Sequence, residues 1–146
     1  KAIGGYLITE LQHQIGENDK AWFDLSQESD GTLRFLGILA ALYQTKTHSL
    51  IAIEEPELTL HPGALAVLSD VLKDSARRNQ VIITTQSPDL IARFEPELLK
   101  VVERRGGSSA IGPVSATQLE ALNKQLFSTS DLIRIEGLKT DELPLG

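Results

Sequence analysis

The stretch from Leu50 to Thr85, LIAIEEPELTLHPGALAVLSDVLKDSARRNQVIITT, decides the fold. Leu50 to Ile53 is short, apolar and partly β-branched, as a fully buried strand of a parallel sheet would be. An acidic turn follows, and Pro62 then suits the first helical position, where the missing N–H has no partner to lose. Leu65, Leu68, Val71, Leu72 and Ala76 recur at three- and four-residue spacing and share one helical face, while Ser69, Asp70, Lys73, Asp74 and Arg77 form the polar one. Val81 to Thr85 is a second buried strand. Strand, helix, strand is most simply a right-handed crossover in a parallel sheet. Both strands then end at one carboxyl edge, where open α/β sheets bind ligands, so Glu54, Glu55 and Gln86 emerge together. Neighbouring strands lie about 4.8 Å apart, which lets these side chains reach a common ligand.

Upstream, Ser29 and Asp30 are N-cap residues for a mostly buried helix carrying the apolar run Leu33 to Tyr43. Gly4–Gly5 and Gly16 interrupt a weak helical pattern of Tyr6, Leu7 and Leu11. Downstream, Ser87 caps and Pro88 opens a short helix. Leu99 to Glu103 has the pattern of a third strand, with RRGGSS as the turn after it. Leu119, Leu122 and Leu126 suggest one more amphipathic helix, and STSDLIRIEGLKTDELPLG a short capped helix and a tail. The expected division is a leader of uncertain structure at 1–24, a lobe at 25–107, and a C-terminal helical extension and tail at 108–146.

Composition bounds the function. The 146 residues, 41% of them apolar, suffice for one domain with a sizeable core. Twenty acidic against 14 basic residues give a formal charge of -6, which argues against strong nucleic-acid binding by this chain alone. No cysteine is present, so disulfides and thiolate metal sites are excluded. No apolar run approaches the roughly 20 residues that span a bilayer, and no signal peptide opens the chain; no membrane contact and a cytoplasmic setting are expected. Methionine is absent even at position 1, so the chain is expected to be a fragment of a longer protein.

Two adjacent carboxylates at the end of a buried strand suit magnesium-assisted phosphoryl chemistry. Magnesium is held by one or two carboxylates together with substrate phosphates. Glu54 can supply that anchor, and Glu55 can orient the attacking water as a general base. In isolation, EEPE is equally an acidic surface turn. ESDGT opens the long helix: Ser29 and Gly31 at a helix N-terminus make an anion site, or simply an N-cap followed by glycine. His61 is by itself a cap or surface histidine, and Gln86 a polar strand end.

Together, SDGTLRFL, LIAIEEPELTLHP and VIITTQSP resemble the C-terminal half of an ABC-type P-loop ATPase, of the branch that includes RecF, the SMC proteins and AAA_21-like proteins. Glu28 to Thr32 is similar to the signature motif, with Ser29 and Gly31 as the matching positions. Leu50 to Glu55 resembles Walker B, Leu60 to Pro62 the D-loop, and Gln86 stands at the switch position. The resemblance covers about residues 25–103. It implies a partial P-loop NTPase fold, α/β in three layers with a mainly parallel sheet, lacking the Walker A lobe. It also implies ATP and magnesium as cofactors and a composite site closed between two heads. Glu54 would serve the metal, with Glu55 and Gln86 as the catalytic residues of the same head; Ser29 and Gly31 would reach the γ-phosphate on the opposing head, and His61 would lie at the dimer interface. The implied partners are the missing N-terminal Walker A lobe, a second copy joined through ATP, and DNA in the full-length protein.

Three positions depart from the broad pattern. Glu54 stands where aspartate is usual, keeping the charge on a longer stem. Gln86 replaces the switch histidine; its amide donates a hydrogen bond but cannot exchange a proton near neutral pH. No Gly-x-x-x-x-Gly-Lys-Ser/Thr occurs, so the loop that cradles the β- and γ-phosphates must come from another segment. The chain alone is therefore expected to be inactive. Two other readings remain: a non-catalytic regulatory or docking module in a DNA-repair or phage-defence assembly, and a two-metal nuclease for which Glu103 is the candidate further carboxylate.

Overall fold

The computed structural model describes residues 9–44 and 48–143, together with the backbone of 2–3 and 6–7. Gly4–Gly5 of the leader and the last three residues of the tail lie outside the described residues. Strands β1 (Ala2–Ile3) and β2 (Tyr6–Leu7) pair antiparallel, as do β3 (Glu10–Gln14) and β4 (Lys20–Asp24), with Gln12 opposite Trp22. The weak helical pattern of the leader thus gives way to strands. Gly16 lies in the turn that closes the second pair, where the Ile15 amide donates to the Asp19 carbonyl at 2.9 Å.

Helix α1 (Asp30–Leu42) begins as expected, with the Ser29 hydroxyl accepting from the Thr32 amide at 3.1 Å. Strand β5 (Leu50–Glu54) leads through a 3-10 turn at Pro62–Ala64 into α2 (Leu65–Ser75), and β6 (Gln80–Thr84) returns parallel to β5 with Ala52 opposite Ile82. The expected strand-helix-strand unit is present. Tyr43 donates its hydroxyl to Asp74 at 3.0 Å, tying the end of α1 to α2, and that bond pushes the phenol above its ordinary pKa.

The core lies on one face of this unit. Ile38 and Leu42 of α1, Leu65, Leu68 and Leu72 of α2, and Leu90 of α3 (Pro88–Ile91) are buried, and Ile51, Ile53, Val81 and Ile83 pack against them. Ser69, expected on the polar face, is also buried, its hydroxyl donating to the Ala66 carbonyl at 2.8 Å. The strands differ from expectation in a more telling way. They alternate rather than being buried throughout: Leu50 and Ile82 keep 49% and 47% of their surface exposed on the face away from the helices. All three helices contribute to the same face, so the described residues give two layers here, not three.

The remaining elements form a second region. Strand β7 (Val101–Arg105) starts two residues later than expected and pairs antiparallel with β8 (Ser108–Gly112) through a turn at Gly106 and Gly107, whose φ values of 57° and 92° suit glycine. A boundary at 107 would fall inside this turn. Helices α4 (Ala116–Asn123) and α5 (Thr129–Glu136) follow, and Leu126 lies past the end of α4 and is exposed. Helix α5 packs on α3, with Arg134 2.5 Å from Asp89. The tail is anchored: the Lys139 carbonyl accepts from Ser115, and the Thr140 carbonyl from Arg105 at 2.6 Å. Among the described residues, β5–β6 is the one parallel pair of four, so the fold is mixed α/β rather than mainly parallel.

Two contacts are testable in the isolated chain. Leu68 is fully buried, so Leu68→Ala should cost about 3 kcal/mol of stability, read as a lower urea midpoint at unchanged slope. A Cβ on Gly31 would meet the Thr59 carbonyl oxygen at 2.5 Å. Backbone cannot yield as a side chain can, so Gly31→Ala should cost about 1–3 kcal/mol with no nucleotide present. An unchanged midpoint would remove packing as a reason for this glycine.

Candidate functional site

Glu54 closes β5 opposite Thr84, and its exposed side chain stands at the carboxyl edge. The ladder runs one residue further, because the Glu55 amide donates to the Thr84 carbonyl at 2.8 Å. Glu55 then turns the chain at φ 44°, a left-handed conformation uncommon for a residue with a Cβ. Pro56 is buried behind it. Leu58 and Leu60 bond back to the carbonyls of Glu55 and Glu57 at 3.1 and 3.0 Å, and Thr59 has a second left-handed φ of 67°. The acidic stretch is thus a tight hydrogen-bonded turn that fixes where both carboxylates leave the backbone.

Two side chains not singled out from the sequence hold this turn. Arg34, on α1, donates from Nη2 to the carbonyl oxygens of Glu54 at 3.0 Å and Glu55 at 2.8 Å, while its Nε is buried without a partner. Its signal was available: it is the lone cation within an apolar helical run. Glu57 is the second. Its carboxylate accepts from the Thr85 hydroxyl, and that hydroxyl oxygen accepts from the Ser87 amide at 3.0 Å. Gln86 sits between these two anchored residues with its own side chain exposed, so the acidic turn and the switch position are physically joined.

Ser29 and Gly31 belong to the first turn of α1, which abuts the acidic turn at Thr59 and Leu60. The Ser29 hydroxyl is engaged with the amide and hydroxyl of Thr32, at 3.1 and 2.9 Å. Glu28, just before it, lies 2.6 Å from the His13 ring of β3, which links the β3–β4 hairpin to the same turn. His61 acts as a cap, its Nδ1 accepting from the Gly63 amide at 3.0 Å. The structure therefore gathers Glu54, Glu55, Gln86 and the α1 N-terminal turn at one edge, through main-chain and side-chain bonds.

The donor set suits a phosphate-bound metal and not a cage. No group of three or more His, Cys, Asp or Glu side chains that could hold a metal occurs among the described residues. One or two strand-end carboxylates completed by substrate phosphates is the arrangement magnesium accepts, and Glu54 is a carboxylate that could hold it there. Glu103, the further carboxylate a two-metal nuclease would need, lies instead on β7, paired with Arg105. No described helix is long and apolar enough to cross a membrane.

Residues 6–92, more than half of the chain, match the family model described as "AAA domain, putative AbiEii toxin, Type IV TA system". A structure solved in work on ATP-driven dimerization and DNA-stimulated activation of SMC ATPases is similar with a TM-score of 0.60 at 20% identity, over 87% of this chain and 73% of that one. The Smc head domain with a coiled coil and joint from Pyrococcus yayanosii is similar with a TM-score of 0.54 at 19% identity, over 80% of this chain; the match spans only 22% of that longer chain. At such identities the likeness concerns the fold. No curated protein matches the chain. The chain belongs to the AAA_21 family of AAA-domain proteins, and its fold is similar to that of SMC ATPase heads.

Proposed function

We propose that the chain is the C-terminal lobe of an ABC-type, SMC/RecF-like ATPase that hydrolyses ATP with magnesium between two heads, in the cytoplasm. The observation that carries this reading is the convergence of Glu54, Glu55 and Gln86 at one strand edge, with the α1 N-terminal turn against it. In this reading Glu54 holds the metal, which when bound would neutralise charge on the β- and γ-phosphates. Glu55 orients the attacking water and accepts its proton. Gln86 donates an amide hydrogen bond to the water or the γ-phosphate without taking a proton. Ser29 and Gly31 address the γ-phosphate on the opposing head, while His61, already spent on its cap through Nδ1, offers only Nε2 to that interface.

A segment carrying the phosphate-binding loop completes the site. The face of β5–β6 that exposes Leu50 and Ile82 supports this, since parallel strands are ordinarily covered on both sides. DNA, in this reading, is a partner of the whole protein. The rival reading, a non-catalytic docking module, draws on Gln86 alone.

The decisive comparison uses the protein that includes the phosphate-binding segment. Glu55→Gln should lower ATP turnover at least about 100-fold, the usual scale for loss of a general base, and leave an ATP-bound dimer that persists longer in size-exclusion chromatography. An unchanged rate would defeat the assignment. The 146-residue chain by itself should show no turnover; hydrolysis by the pure chain that Glu55→Gln abolishes would show that no other segment is required.

A further inference from the structure

Arg34 is an unusual choice for folding alone. It interrupts the apolar run of α1, and its guanidinium is brought beneath the acidic turn with Nε buried and unpaired. A buried donor without an acceptor is destabilising, and apolar side chains of similar size often replace buried charges without loss. What the guanidinium gains is specific: Nη2 bridges the consecutive carbonyl oxygens of Glu54 and Glu55, at 3.0 and 2.8 Å. Those are the two residues whose carboxylates leave the strand edge.

Glu55 needs such support. A residue with a Cβ held at φ 44° is strained, and a strained conformation persists only where its surroundings over-determine it. Three bonds hold its backbone: the Glu55 amide donates to the Thr84 carbonyl, and the Glu55 carbonyl accepts from the Leu58 amide and from Arg34. The first belongs to the sheet and the second to the turn itself. The third alone belongs to α1 and moves with that helix.

The same helix begins at Ser29 and Gly31, one turn from Arg34, and Gly31 is pressed against the Thr59 carbonyl. A helical turn is stiff compared with a loop, so a displacement of the α1 N-terminus reaches the Glu55 backbone through Arg34. We propose that Arg34 is a positioning residue: it sets the direction of the Glu55 carboxylate and makes it depend on the position of the α1 N-terminal turn. This rests on the assignment of Glu55 made above. It gives that site a regulatory input, in which what the first turn of α1 touches governs how well Glu55 is aimed.

The test again uses the protein that includes the phosphate-binding segment, with Arg34→Met and Arg34→Lys. Misplacing a catalytic group by about 1 Å costs on the order of 100-fold. Arg34→Met should therefore lower kcat about 10- to 100-fold per bound nucleotide, with KM for ATP, nucleotide stoichiometry and ATP-dependent dimerisation retained. Arg34→Lys, which keeps one cationic donor on a flexible stem, should recover part of the loss. Combined with Glu55→Gln, neither substitution should lower turnover further, because both act through one group.

The outcomes separate. If Glu55→Gln abolishes turnover but Arg34→Met and Arg34→Lys leave kcat per bound nucleotide unchanged, the positioning role is overturned and the ATPase reading stands. A loss confined to KM or to the fraction of protein that binds nucleotide would also overturn it, as a purely structural effect. If Glu55→Gln itself has no effect, the ATPase reading fails first. Should Arg34→Met not fold, Arg34→Lys carries the same comparison.

Discussion

The parallel pairing of β5 with β6, with Glu54 opposite Thr84, is the constraint on which the rest depends. Two parallel strands cannot be joined by a tight turn, so the chain between them must cross the sheet, and α2 is that crossing. Because both strands run the same way, the acidic turn and Gln86 leave from one edge. The register then extends by one bond, Glu55 to Thr84, and this delays the turn until both carboxylates have emerged. A slip of one residue would move the half-buried Ile51, Ile53, Val81 and Ile83 from the core to the outer face. The hydrophobic core therefore holds the register, and the register holds the chemistry.

Concentrating negative charge at the end of an apolar strand is tolerable here because the turn is not left to itself. The Arg34 guanidinium lies beneath its carbonyls, and one oxygen of the Glu57 carboxylate accepts from Thr85. Of the three acidic side chains, one is structural and two remain at the edge. The left-handed backbone at Glu55 and Thr59 belongs to the same economy of space: it folds the chain back tightly enough for the Thr59 carbonyl to meet the first turn of α1. Gly31 is required by that approach whether or not a phosphate ever reaches it.

Much of this was legible in the sequence. The 3.6-residue spacing of Leu65, Leu68 and Leu72 located α2 and its buried face, and Ser29, Ser87 and Pro62 marked helix starts through capping and proline chemistry, all local effects. The leader was not legible, since its antiparallel pairing depends on partners rather than on its weak helical pattern. Nor was the partner of β7, which the Gly106–Gly107 turn supplies from β8. The expectation of fully buried strands failed for a related reason: composition reports that a strand can be buried, and only packing decides which face is covered.

The sequence by itself determined the order of the elements from α1 to α3, the shared edge for Glu54, Glu55 and Gln86, and the family, because apolar spacing and helix capping are written in neighbouring residues. Only the tertiary structure decided that Arg34 reaches Glu54 and Glu55, that Glu57 is tied to Thr85, and that Gly31 packs on Thr59. Those contacts join residues roughly 20 to 30 positions apart. They depend on how α1 settles against the acidic turn, and on how that turn meets β6, which no local pattern encodes.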